Sequence, residues 1–174
     1  MDMELTISDQ KAIRTGSQSI RFEGMKDGKA VYSVDRTGQL ASLGTEEWTI
    51  TDKGVFTTKS SMMDIGQDAM ELPANPKPGM TWKVHTKSDQ AAAKMDMEMT
   101  FKVVGIESVT TKAGKFKSAL LIEQDGKGSL QGQKVRTESK NWYVKGIGLV
   151  KATMMNHVEG GKSESLTIQE TNVK

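Results

Sequence analysis

The residues best suited to chemistry in this chain are its methionines and the acids between them. "MDMEMT" at Met95–Thr100 sets three thioethers two residues apart, and "MDMELT" opens the chain with the same wording at five of six positions. Soft thioethers select Cu(I), so Met95, Met97 and Met99, with His157 of "MMNH" as a nitrogen donor, form a candidate copper set. Such a site needs several sulfurs converging on one ion, whereas i and i+2 neighbours on an extended strand stand ~6–7 Å apart. Leu5 replaces the third methionine in the first copy, as an apolar packing position would allow. The acids Asp2/Glu4 and Asp96/Glu98 have the spacing of an acid–base pair, but they alternate with the apolar residues and belong on a solvent face.

Other catalytic devices are poorly represented. There is no cysteine and no Gly-x-Ser-x-Gly elbow, and His85 and His157 lie in separate strand-like runs. "GKGSLQG" (Gly126–Gly132) lacks the Lys-Ser/Thr ending and following helix of a phosphate loop, and a hairpin turn accounts for it. No catalytic residue is assigned, no cofactor is implied, and the chain reads as non-enzymatic.

The elements that position these residues are strands. Met95, Met97, Met99, Phe101 and Val103 alternate with Asp96, Glu98, Thr100 and Lys102, and Met1–Ser8 repeats the pattern. Period two marks a half-buried strand. "KDGK", "TDKG", "KAGK", "DGKG" and "EGGK" then separate further β-type runs at short spacing. The three prolines cluster in Leu72–Gly79, a connector rather than a central strand. "SDQAAAK" (Ser88–Lys94) is the best helix candidate, too short to hold alone. At the offset of the two hexapeptides, Phe22 aligns with Phe116, Trp48 with Trp142 and Gly54 with Gly148. The spacing suggests a half-repeat, 1–72 and 95–174, joined by the 72–79 connector. We expect one all-β domain over 1–174: a single strongly curved antiparallel sheet of about ten strands linked by hairpins.

Composition narrows the partners. The 174 residues carry 24 basic and 22 acidic side chains, and the lysines are scattered. No basic stripe suited to nucleic acid results. No apolar run approaches a transmembrane segment. With 12 methionines and modest numbers of Val, Ile, Leu and Phe, methionine must supply part of the core. It also suits a wall that fits irregular apolar ligands.

"LPANPKPGMTWKV", "VGIESVTTKAGKFKSALLI" and "WYVKGIGLVK", in that order over Leu72–Lys151, resemble a broad group of exported bacterial β-rich proteins of the domain-of-unknown-function 3108 or TapB-like type. The resemblance implies a half-barrel similar to LolA-like lipoprotein carriers, a periplasmic or otherwise exported protein, and a signal peptide missing from this chain. It carries over no site residue. The resulting expectation is a binding protein for an apolar or amphipathic, lipid-like molecule in a groove lined by Met3, Leu5, Trp82, Met95, Met97, Met99, Phe101 and Trp142. The alternatives are an envelope module that docks a partner protein, and a Cu(I) binder.

Overall fold

The computed structural model describes residues 1–7, 12–62, 69–89 and 94–172. The strands are β1 (Asp2–Ile7), β2 (Ala12–Lys26), β3 (Lys29–Arg36), β4 (Glu46–Ile50), β5 (Gly54–Ser60), β6 (Ala69–Pro73), β7 (Thr81–Ser88), β8 (Met95–Thr111), β9 (Gly114–Leu130), β10 (Gln133–Val144), β11 (Gly148–Val158) and β12 (Glu164–Asn172). They form one antiparallel sheet in the order β6-β5-β4-β3-β2-β1-β12-β11-β10-β9-β8-β7. Two six-stranded meanders therefore meet where β1 pairs with β12, and the sheet curls into a nearly closed barrel. The expected class holds, with twelve strands instead of about ten and with more closure than a half-barrel. A 3₁₀ helix (Gly38–Leu43) covers the β1 part of the inner face, where Leu40 packs on Met3, Leu5 and Ile7.

Closure stops at the seam between β6 and β7. There the Trp82 indole donates to the Met70 carbonyl at 2.8 Å. The proline segment spans this seam, and Pro73 ends edge strand β6, as a residue without an amide donor requires. Most of the expected Ser88–Lys94 helix lies outside the described residues, and Ser88 itself ends β7.

One turn assignment changes. "DGKG" (Asp125–Gly128) lies inside β9, and the turn falls at Gln131–Gly132. A Cβ on Gly128 would overlap the Asp96 carbonyl, and one on Gly126 would sit 3.3 Å from the Met99 side chain. The glycines make room for the methionine strand beside them. Gly146 sits within the hairpin turn at Lys145–Ile147 and Gly148 opens β11, with φ of 81° and 107°.

The core sits mainly inside the barrel. Met3, Leu5 and Ile7 pack with Leu40 of the 3₁₀ helix, and Leu166 and Ile168 lie against them. Gly16 lets that helix approach, since a Cβ there would collide with the Thr37 carbonyl. A second cluster lies outside the barrel. The β8–β9 hairpin bends at bulges in Val103–Gly105 and Glu107–Val109 and folds as an arm over β10–β12. Its Val109 and Ala119 pack on Val150, with Phe116 and Trp142 alongside. At its tip the Ala113 amide donates to the Glu170 carbonyl at 3.1 Å.

Candidate functional site

Opposed residues in an antiparallel pair share a face. One row of neighbours runs Leu5, Ile168, Ala152, Asn141, Ile122, Val103 across six strands. Val103 and Ile122 are fully buried, so this is the inner face. Alternation places Met95, Met97, Met99 and Phe101 on it, and Phe101 is opposite Trp82. Of the eight expected lining residues, Met3, Leu5, Trp82, Met95, Met97, Met99 and Phe101 thus share one face. Met3, Leu5 and Met97 are buried; Trp82, Met95, Met99 and Phe101 are half-buried. Trp82 and Phe101 stack at 5.1 Å with ring planes 7° apart. The Met99 sulfur accepts from Gln124 Nε2 at 2.9 Å, and a chain of bonds continues through Ser139 to Asn141.

Trp142 is on the other face. It is opposite Lys151 and Leu121, its Nε1 donates to Glu107 of the arm at 2.7 Å, and Lys151 Nζ lies 5.8 Å from its ring centre. The apolar surroundings of "NWYV" signalled burial, but the cover is the arm. His157 also points outward, opposite Arg136, with its Nδ1 2.9 Å from Ser163 Oγ. The structure therefore does not bring His157 together with Met95, Met97 and Met99.

The acids between the methionines have two fates. Asp96 and Glu98 are exposed and paired with His85 (2.7 Å) and Lys83 (3.3 Å). Glu4, expected in solvent, is only 7% exposed, because Lys112 at the arm's tip reaches it at 2.7 Å. Its hydrogen bond to Lys112 holds the Glu4 carboxyl below the ordinary carboxylate value. Also on the outer face, a groove of about 620 Å3 runs over β7–β12 among Thr100, Lys102, Glu123, Lys140 and Thr167. Met154 and Met155 line it, whereas Met95, Met97 and Met99 do not.

A polar cluster inside the barrel carries more chemical meaning. Arg36 engages the protein through all three of its guanidinium nitrogens. Nε donates to Gln18 Oε1 (3.0 Å), Nη1 to the carbonyls of Leu43 and Gly44, and Nη2 to Glu46 Oε1 (3.1 Å). The other Glu46 oxygen accepts from Trp48 Nε1 at 2.9 Å. Glu71, the bulged residue of β6, accepts from Thr57 Oγ1 at 2.6 Å. Burial raises its pKa, and the charge of Glu46 adds to the effect. Tyr143 faces this group from β10: burial first, then the carboxyls of Glu71 and Glu46, push its phenol well above the usual range. Glu170, opposite Met3 on the same face, is fully buried. Neither of its carboxyl oxygens has a hydrogen-bond partner among the described residues.

Spacing could not reveal this cluster, whose members come from β2–β6 and β10. One signal existed. In "YSVDR", "EEWTI" and "LTIQE", Arg36, Glu46 and Glu170 occupy the apolar phase of their strands. A charge in that phase is either paired or awaits a partner.

Beside the cluster the inner face turns outward to solvent. β2 continues past Gln18 without a β1 partner, and the rows Ile20–Val34–Glu46, Phe22–Tyr32–Trp48 and Met25–Ala30–Ile50 cross β2–β4. Ile20, Phe22, Met25 and Ile50 are 40%, 54%, 65% and 39% exposed. Phe22 and Tyr32 rings lie 5.2 Å apart. The opposite face of this blade is charged, with Arg21–Glu23, Arg21–Asp35 and Lys59–Glu47 pairs.

Fold and site define the class: a nearly closed antiparallel barrel with an apolar inner wall, a buried polar cluster and one exposed apolar extension. The chain belongs to the DUF3108-like family, whose profile matches residues 5–166. The motif resemblance read over Leu72–Lys151 thus extends to almost the whole chain. Two crystal structures share the fold. A "putative lipoprotein" from Parabacteroides distasonis is 13% identical with a TM-score of 0.65, the match covering 99% of this chain and 93% of that one. A "putative exported protein with YmcC-like fold" from Bacteroides fragilis is 12% identical with a TM-score of 0.57, covering 99% and 94%. Neither description indicates a catalytic activity. A comparison with curated proteins finds no match.

Proposed function

We propose that this protein is a non-enzymatic, extracytoplasmic binding protein that takes an amphipathic, lipid-like small molecule against the inner face of its barrel. The observation that carries the reading is the exposed apolar row Ile20, Phe22, Met25 and Ile50, continuous by register with Tyr32 and Trp48 on the inner face. Soluble domains rarely leave a contiguous apolar strip beside their own interior unless something occupies it. The half-buried Trp82, Met95, Met99 and Phe101 supply adaptable wall further inside. Likeness to exported proteins of the same fold supports the compartment. Docking of a protein through a sheet edge has weaker support. β6 ends in Pro73, and β7 carries Lys83, His85 and Lys87, features that discourage strand addition.

Native mass spectrometry of gently purified protein tests the reading. The expected spectrum holds an apolar adduct that a Phe22→Ser/Ile50→Ser variant loses without a drop in melting temperature. An adduct-free protein that also fails to bind octyl glucoside contradicts it.

A further inference from the structure

The β2–β3 hairpin, the β4–β5 hairpin and the proline connector lie at one end of the sheet, because a meander returns to the same end at every second turn. The last strand row before these turns is apolar throughout. Met25, Ala30, Ile50, Val55 and Leu72 are opposite one another across β2–β6, a band about 20 Å wide. Along β2 the exposure rises toward the turn, from 40% at Ile20 through 54% at Phe22 to 65% at Met25, so the apolar side chains are least covered at the tip itself. Charge is concentrated at the same place. Residues 25–30, 50–54 and 73–80 hold four lysines, Lys26, Lys29, Lys53 and Lys77, against two acids, Asp27 and Asp52. All four lysines are exposed. Lower on the blade the charges are paired, Arg21 with Glu23 and Asp35, and Lys59 with Glu47. Lys29, Lys53 and Lys77 have no ion pair among the described residues. Lys29, Asp52 and Lys53 line one cleft of about 520 Å3 between the two hairpins. The Ala74 amide donates to the Lys53 carbonyl at 2.9 Å, which fixes the start of the connector against the β4–β5 turn.

An apolar row bordered by lysines matches the two layers of an anionic bilayer surface. Apolar side chains enter the acyl boundary to a depth of ~5–10 Å, while lysine stems lie along apolar surface and their ammonium groups stay level with the phosphates. A protein partner fits less well, because a stable interface needs ~800 Å2 from each side, more than one row of side chains offers, whereas lipid adapts to a small insert. We propose that the β2–β5 tip docks on membranes containing anionic phospholipid, with Met25 and Ile50 inserted and Lys26, Lys29 and Lys53 against the headgroup phosphates. The docking uses the outer end of the strip, beyond Phe22, and stands independently of the small-molecule reading.

Co-sedimentation with phosphatidylcholine vesicles, with and without about a third phosphatidylglycerol, tests the docking. The protein is expected to bind the anionic vesicles and to leave them as salt is raised. Each lysine near such a surface contributes about fivefold. Lys26→Gln/Lys29→Gln/Lys53→Gln should therefore lose about a hundredfold in partitioning and keep parental octyl glucoside binding. Met25→Ser should lose about tenfold. Both variants change exposed side chains, and an unaltered melting temperature shows that the fold is kept. Absence of binding to anionic vesicles, equal binding to vesicles without phosphatidylglycerol, or parental binding by both variants overturns the docking. A dimer in sedimentation velocity that Met25→Ser dissociates assigns the tip to a second copy and also overturns it. Vesicle binding without octyl glucoside binding supports the docking alone and counts against the small-molecule reading.

Discussion

"MDMELT" and "MDMEMT" are nearly the same peptide in two different places. β1 lies in the middle of the twelve-stranded sheet and is covered on both faces: Leu40 sits over Met3 and Leu5, and the arm's Lys112 sits over Glu4. β8 is next to the seam, with Met97 buried inside and Asp96 and Glu98 open to solvent. Alternation decides which side chains turn inward in both. What covers each face is decided by elements distant in sequence. The same acid is therefore a buried anchor in one copy and a solvated surface residue in the other.

That contrast can be tested by substitution. The largest effect is expected from Leu5→Ala, which empties a site only 3% exposed and should cost about 2–5 kcal/mol in urea denaturation. The corresponding Met99→Ala, at a half-buried position, should cost about 1–2 kcal/mol; equal losses would show that the two strands share one environment.

Next comes Glu170→Gln, on the wall opposite Met3. Burial raises the pKa of this acid, so the folded state holds the proton that the unfolded chain releases. Stability then declines as pH rises from about the ordinary 4.5 through the raised value. The variant should remove that decline and gain about 1–3 kcal/mol at pH above 7. Parallel stability–pH curves for the two proteins would contradict the assignment.

Smaller still, Glu4→Gln should cost about 1–2 kcal/mol, between the ranges for surface and buried pairs because Lys112 is partly exposed. Glu98→Gln should change stability by no more than ~0.5 kcal/mol. The Glu4 carboxyl titrates below its ordinary 4.5. Its contribution is therefore complete above that value and disappears as pH falls through the lower folded one, and Glu4→Gln should converge with its parent in strong acid.

Much of the sheet was legible in the sequence. Period-two runs and hairpin glycines pointed to about ten of the twelve strands, and the prolines marked the edge where β6 meets the seam. Asp125–Gly128 misled because Asp-Gly usually marks a turn, whereas here glycine clears space for Met97 and Met99. Trp142 misled because alternation assigns a face without saying what covers it. The polar cluster stayed hidden because Gln18, Arg36, Glu46, Glu71 and Tyr143 meet only after the sheet curls. Their one local trace was a charge in the apolar phase of a strand.

In the binding mode proposed above, the repeated methionines are wall and the ligand meets the molecule at the β2–β4 extension. The most direct measurement compares octyl glucoside affinity in a Met95→Leu/Met97→Leu/Met99→Leu variant and in Phe22→Ser/Ile50→Ser. Near-parental affinity is expected in the first and loss of binding in the second, with both folded. Binding that disappears with the methionines and survives at the extension would contradict it.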